Sequence, residues 1–86
     1  MEFEYDTAKS EANREKHAID FDSAKELWLG KTVELSARDK GETRSLIIGK
    51  IGKTCWSAII TRREGTIRII SVRRSRDDEK KLYERK

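Results

Sequence analysis

Arg44-Ser-Leu-Ile-Ile-Gly-Lys-Ile51, Gly52-Lys53, Thr54-Cys-Trp-Ser-Ala-Ile-Ile-Thr61, Arg62-Arg-Glu-Gly65 and Thr66-Ile-Arg-Ile-Ile-Ser-Val72 follow one another without a gap, and this stretch decides the fold. Runs rich in β-branched residues, separated by short glycine-bearing turns, read as strands joined by hairpins. Gly52 can supply the positive φ that a tight turn needs. Upstream, Thr32-Val-Glu-Leu-Ser-Ala37 reads as another strand and Arg38-Asp-Lys-Gly-Glu42 as a polar loop. Consecutive strands with connections this short form an antiparallel meander. Period-two alternation places Arg68, Ile70 and Val72 on one face of the last strand, and Ile67, Ile69, Ser71 and Arg73 on the other. Apolar residues fall on both faces, so neither should be fully solvated.

Toward the N-terminus, Phe3 and Tyr5 alternate with Glu2, Glu4 and Asp6, a short strand able to join a sheet edge. Asp6 is placed to cap a helix from Thr7 to His17. Its apolar stripe is thin, Ala8 and Ala12. Asp20 starts a second helix, in which Phe21, Ala24, Leu27 and Trp28 share one face. Gly30 stops it. These two helices can cover one face of the sheet, which leaves the other for the last helix or a partner. That last helix starts from Ser75 as cap, with Asp77, Asp78 and Glu79 in its first turn and Lys80, Lys81, Arg85 and Lys86 after them, a polarity that suits the helix dipole. Leu82 and Tyr83 are its large apolar groups, so it reads as a flap held by Tyr83. The expected fold is α+β: two N-terminal helices packed on a mainly antiparallel four- to five-stranded sheet, with a C-terminal helix, in a single domain over residues 1–86.

The totals narrow the function. One cysteine, Cys55, excludes an internal disulfide framework, and one histidine, His17, excludes a multi-histidine metal site. No cofactor is expected. No apolar run approaches the ~20 residues of a membrane span. The acidic N-terminus carries no signal-peptide pattern, so a cytoplasmic protein with no membrane partner is expected. The net charge of +4 hides an asymmetry: residues 1–43 hold 7 basic and 11 acidic side chains, residues 44–86 hold 13 and 5. Most cations of the second half are arginines, whose forked guanidinium matches phosphate oxygens. The acidic first half would repel a duplex, and no helix-turn-helix with a basic recognition helix is present.

Phe3-Glu-Tyr-Asp6, Ala8-Lys9, Asn13, Lys16-His17, Phe21 and Ala24 resemble the opening of the BrnT family of bacterial type II toxins. Arg44 with Ile48-Gly49 matches in the middle, and Arg68-Ile-Ile-Ser71, Arg73-Arg74, Glu79 and Tyr83 at the end. The resemblance covers essentially the whole chain in order. Ala18 departs from it, because glycine often follows the Lys-His pair. The resemblance implies a RelE-like fold and a ribonuclease that shuts down translation. It also implies a BrnA-type antitoxin as partner in an antitoxin-bridged hetero-oligomer. Operator DNA would then be reached only through the antitoxin.

Metal-independent RNA cleavage requires a base for the ribose 2′-hydroxyl, cations for the developing phosphorane charge and an acid for the leaving oxygen. Arg44, Arg68 and Arg73 are the family-matching cations, with Arg74 next. His17 is the one side chain of a type that titrates near neutrality. Tyr83 can stack on a base, donate a proton or simply dock its helix. The opposite parity of Arg68 and Arg73 keeps them from acting side by side unless a bulge intervenes, and one of them can instead pair with Glu79. Two other readings use the same residues: a basic module that binds RNA without cutting it, and an inactive homologue that keeps only its antitoxin-binding surface.

Overall fold

The computed structural model describes residues 2–39 and 42–86, and side chains outside positions 37–42. The chain runs β1 (Glu2–Glu4), α1 (Thr7–His17), α2 (Phe21–Ala24) continuing as a 3-10 turn (Lys25–Leu29), β2 (Thr32–Asp39), β3 (Glu42–Ile51), β4 (Thr54–Arg63), β5 (Thr66–Arg74) and α3 (Asp77–Arg85). One five-stranded sheet in the order β1-β5-β4-β3-β2 organises everything else. The meander read from the sequence forms β2 to β5, and each hairpin is antiparallel. Its strands run further than expected. Of the anticipated polar loop at 38–42, Arg38 and Asp39 belong to β2 and Glu42 to β3, while Lys40 and Gly41 lie outside the described residues.

The fold class is α+β, but two expectations about it need correction. The sheet is mixed, because β1 joins β5 in parallel, with Phe3 opposite Ile67 and Glu4 opposite Arg68. A strand that enters beside the last one, and not beside its sequence neighbour, leaves no mark in local pattern. The second N-terminal helix has only four α-helical residues before it tightens to 3-10 geometry. Its predicted face survives: Phe21, Ala24 and Leu27 are buried and Trp28 is half-buried. The tight turn lies close on β3, where a Cβ on Gly49 would come 3.2 Å from Leu27 Cδ2.

The inner face of the sheet packs against α1 and α2 through Phe21, Leu27, Ile47, Ile60, Ile69 and Val72, among others. β1 is tied to this layer by edge-on ring contacts, Phe3 with Trp28 at 5.0 Å and Tyr5 with Phe21 at 5.7 Å. The outer face holds a smaller cluster of Val33, Ile48 and Cys55, covered by Leu46 and Tyr83. α3 therefore covers part of the second face, as the two-sided apolar pattern required.

α1 does not dock through alanines. Ala8 and Ala12 are exposed, and the buried face is Ser10 and Asn13. The Asn13 amide donates to the carbonyls of Ile19 (2.8 Å) and Val72 (2.9 Å), and its oxygen accepts from Val72 N–H at 3.2 Å. β1 pairs β5 only as far as Arg68, so Asn13 satisfies backbone groups of β5 beyond that point. Ser10 Oγ accepts from Phe21 N–H at 2.9 Å and ties α1 to α2.

Asp6 and Asp20 cap their helices as read from the sequence, accepting from Ala8 and Lys9 and from Ser23 respectively. Ser75 does not cap α3; the N-cap is Arg76. Ser75 is buried instead, with its hydroxyl 2.8 Å from that of Ser57. Gly30 ends the 3-10 turn in an extended conformation, whereas the left-handed helix end falls on Ala18, at φ 65°.

Candidate functional site

The decisive detail of β5 is a bulge. Ile60 pairs with Ile69 and Ile59 with Ser71, so Ile70 is an extra residue in the ladder. An extra residue inverts the alternation beyond it. Ile67, Ile69 and Val72 all join the inner core, which corrects the expected placement of Val72 with Arg68. Arg68, Ser71 and Arg73 accordingly share the outer face, against the parity read from the sequence.

Register extends this face across the sheet. Thr61 pairs with Arg68 on β5, and Ser45 with Ile60 on β3, so Arg44 and Arg68 flank Thr61 on neighbouring strands. Their Cα atoms are two strand spacings apart, about 10 Å. Two guanidinium groups on stems that long can converge on one phosphate. Below them the face is apolar, with Leu46 and Ile59 half-buried and Leu35 39% exposed. Arg68 has a loose partner, Glu4, at 3.7 Å.

Arg73 is committed elsewhere. Its guanidinium donates twice to Glu79, 2.8 Å to each oxygen. Glu79 is only 6% exposed and also accepts from Ser57 Oγ (2.9 Å) and Arg76 N–H (2.8 Å). The Arg73 guanidinium is the main reason its pKa is held down to about 2 from 4.5, with the Arg76 and Ser57 donors adding to it. The pairing suggested by sequence is thus present, and it anchors the start of α3.

Tyr83 anchors the other end. Its hydroxyl donates to the Lys31 carbonyl (3.3 Å), Lys31 Nζ donates to the Tyr83 carbonyl (2.8 Å), and that ammonium lies 4.5 Å from the ring centroid. α3 is therefore a helix docked across the outer face by Tyr83, one of the readings of its sequence, and a buried carboxylate on an otherwise polar helix holds its start.

Between α3 and the β3–β4 hairpin end lies a cavity of about 310 Å³. Lys50, Lys53, Arg74 and Lys80 surround it, with Tyr83 and a single carboxylate, Glu84. Arg74 also lies over the Trp56 ring at 5.8 Å. Cys55, buried as read from the sequence, forms part of the wall.

Of the predicted site residues, the structure brings Arg44 and Arg68 into one row and Arg74 and Tyr83 into one cavity. Arg73 lies between these zones and holds α3. His17 stands apart, half-buried at the end of α1, and among the described residues no hydrogen bond links it to the arginines. Sequence reasoning missed Lys50, Lys53 and Lys80. Their one available signal was that Lys50 and Lys53 flank the turn Gly52 makes, which puts both at one end of the sheet.

A family model of the ribonuclease toxin BrnT of type II toxin–antitoxin systems matches residues 5–79. The chain belongs to the BrnT family. No curated protein matches. Within the matched residues, Asn13, Arg73 and Glu79 build the fold that presents the outer face, and Arg44 and Arg68 lie on it. BrnT membership implies an antitoxin partner and an RNA target. Among the described residues no group of three or more His, Cys, Asp or Glu side chains could hold a metal ion, and no helix is long and apolar enough to cross a membrane.

Proposed function

We propose that this chain is a metal-independent, RelE-like endoribonuclease that cleaves cytoplasmic RNA and so arrests translation and growth. In this reading a BrnA-type antitoxin neutralises it within a hetero-oligomer, and operator DNA is contacted through that antitoxin alone. The observation that carries the proposal is the arginine row: Arg44 and Arg68 flank Thr61 on the face that α1 and α2 leave uncovered. The ribose 2′-oxygen loses its proton to solvent as it attacks the adjacent phosphorus, and the bond to the 5′-oxygen breaks as that oxygen takes a proton from solvent. The products are a 2′,3′-cyclic phosphate and a 5′-hydroxyl end, so no outside nucleophile enters. Charge on the non-bridging oxygens rises on the way, and the two guanidinium forks, carried on the strands either side of β4, can turn to meet it. Arg73 positions α3, and Arg74 and Tyr83 belong to the neighbouring cavity. His17, in the helical layer, is given no part at the row.

The test is cleavage of a single-stranded RNA by the purified chain in excess EDTA. Cleavage should persist in EDTA, and Arg68→Ala should slow it by about 10²–10³-fold, the effect of removing a charge-stabilising donor. His17→Gln should change it by less than about tenfold, below the usual contribution of a general acid or base. No cleavage by the parent, alone or with ribosomes, would leave the reading without support. Equal losses in the two variants would return His17 to the site.

A further inference from the structure

We propose that the cavity on the hairpin side of α3 is an anchor for a phosphate of the RNA strand, separate from the row at which the backbone is cut. This rests on the ribonuclease reading above. Five cations elsewhere on the described chain are paired with carboxylates: Arg14 with Glu11, Lys25 with Asp22, Arg62 with Glu34, Arg68 with Glu4 and Arg73 with Glu79. Among the described residues, none of Lys50, Lys53, Arg74 and Lys80 forms an ion pair, yet all four border one cavity with Glu84 as its only acid. Four cations gathered at a concave site against one acid raise the local potential and draw an anion to it. A volume of about 310 Å³ is at the low end of the ~300–1,000 Å³ range of small-ligand sites, which suits a phosphate with its adjoining sugar.

The cavity is not the arginine row seen from another side. Lys50 lies six residues beyond Arg44 on β3, and Arg74 six beyond Arg68 on β5, which is about 20 Å along the strands. α3 lies between the two zones, with Glu79 bonded to Ser57 and Arg73 beneath it. Lys80, Tyr83 and Glu84 fall at i, i+3 and i+4, so one face of α3 forms the cavity wall. A strand held at both zones crosses α3, and the anchor would fix which backbone bond reaches the arginines.

The experiment measures binding of the full chain to a 2′-O-methyl RNA decamer, which cannot be cut because its 2′-oxygens are blocked. Affinity is followed against salt concentration. The double variant Lys50→Ala/Lys80→Ala should bind about tenfold or more weakly at about 0.1 M salt, and its log–log salt slope should be shallower by about 1.4. Both lysines are exposed, so folding should be retained, with the unfolding midpoint as the check. Lys9→Ala/Lys16→Ala, exposed on α1, should bind like the parent. Equal weakening in both pairs, or none in the cavity pair, overturns the anchor. Inorganic phosphate is the competing arm: if it displaces the decamer at an equal phosphate concentration, the occupant is a free phosphate and the strand anchor is wrong. Because the decamer is never cut, a failed anchor leaves the cleavage test untouched, and a failed cleavage test leaves this one readable.

Discussion

A carboxylate withdrawn from water is stable as an ion only where donors replace its hydration. Glu79 has such donors from Arg73, Ser57 and Arg76, and its pKa is held near 2 against an ordinary 4.5. A lowered folded-state value stabilises the fold above the unfolded value and ceases to do so as the pH falls through the folded value. The contribution is complete above about pH 5 and disappears between there and about pH 2, a loss of about 3 kcal/mol. Glu79→Gln should flatten the urea midpoint across that window and cost about 3–5 kcal/mol at neutral pH, since it leaves Arg73 uncompensated. An unchanged acid limb in the variant would mean that other groups carry the pH dependence. Asn13 and Glu79 show where residue-level reading stopped. Both sit among charged neighbours on helices that read as solvated. What buries them is a strand far away in sequence.

Among the elements, α1 carries a cost at its end, at the position where the chain departs from the resemblance. Ala18 holds φ at 65°, a region that costs a residue with a Cβ roughly 1–2 kcal/mol. Glycine would return part of this through the entropy of the unfolded chain, about 0.4–1 kcal/mol. Ala18→Gly should therefore stabilise the domain by about 0.5–1 kcal/mol, read as a raised urea midpoint; a lowered midpoint would place the strain elsewhere. The hairpins, the capping aspartates and the buried face of Phe21, Ala24 and Leu27 were all legible, because each is written in local spacing or residue type. The bulge was not. Ile69-Ile70 is a pair of good strand residues with no glycine to mark an irregularity, and only the pairing partner Ile59-Ile60 reveals it.

For the molecule as a whole, α3 is what joins the two halves of the outer face. Small domains have thin margins: at 86 residues a total stability of roughly 4–13 kcal/mol is typical. A chain ending at Arg76 would expose Val33, Ile48 and Cys55 and strand the Arg73 guanidinium. Its unfolding free energy should fall by at least about 3 kcal/mol, measured by urea titration at pH 7. If the shortened chain unfolds at the parent's midpoint, α3 is an appendage and the cavity it walls is incidental. The cations of the second half, visible as an excess in the sequence, include the arginine row on the outer face and the lysine-lined cavity beside α3.

The bulge at Ile70 also bears on how chains of this kind are to be compared. Without that one residue, Ile67 and Ile69 would still point inward with Val72, and Arg68 and Ser71 would still point outward with Arg73. The spacing between the two arginines can thus shrink by one without turning either of them over. A gap there in an alignment would mark a straightened strand and not a lost site.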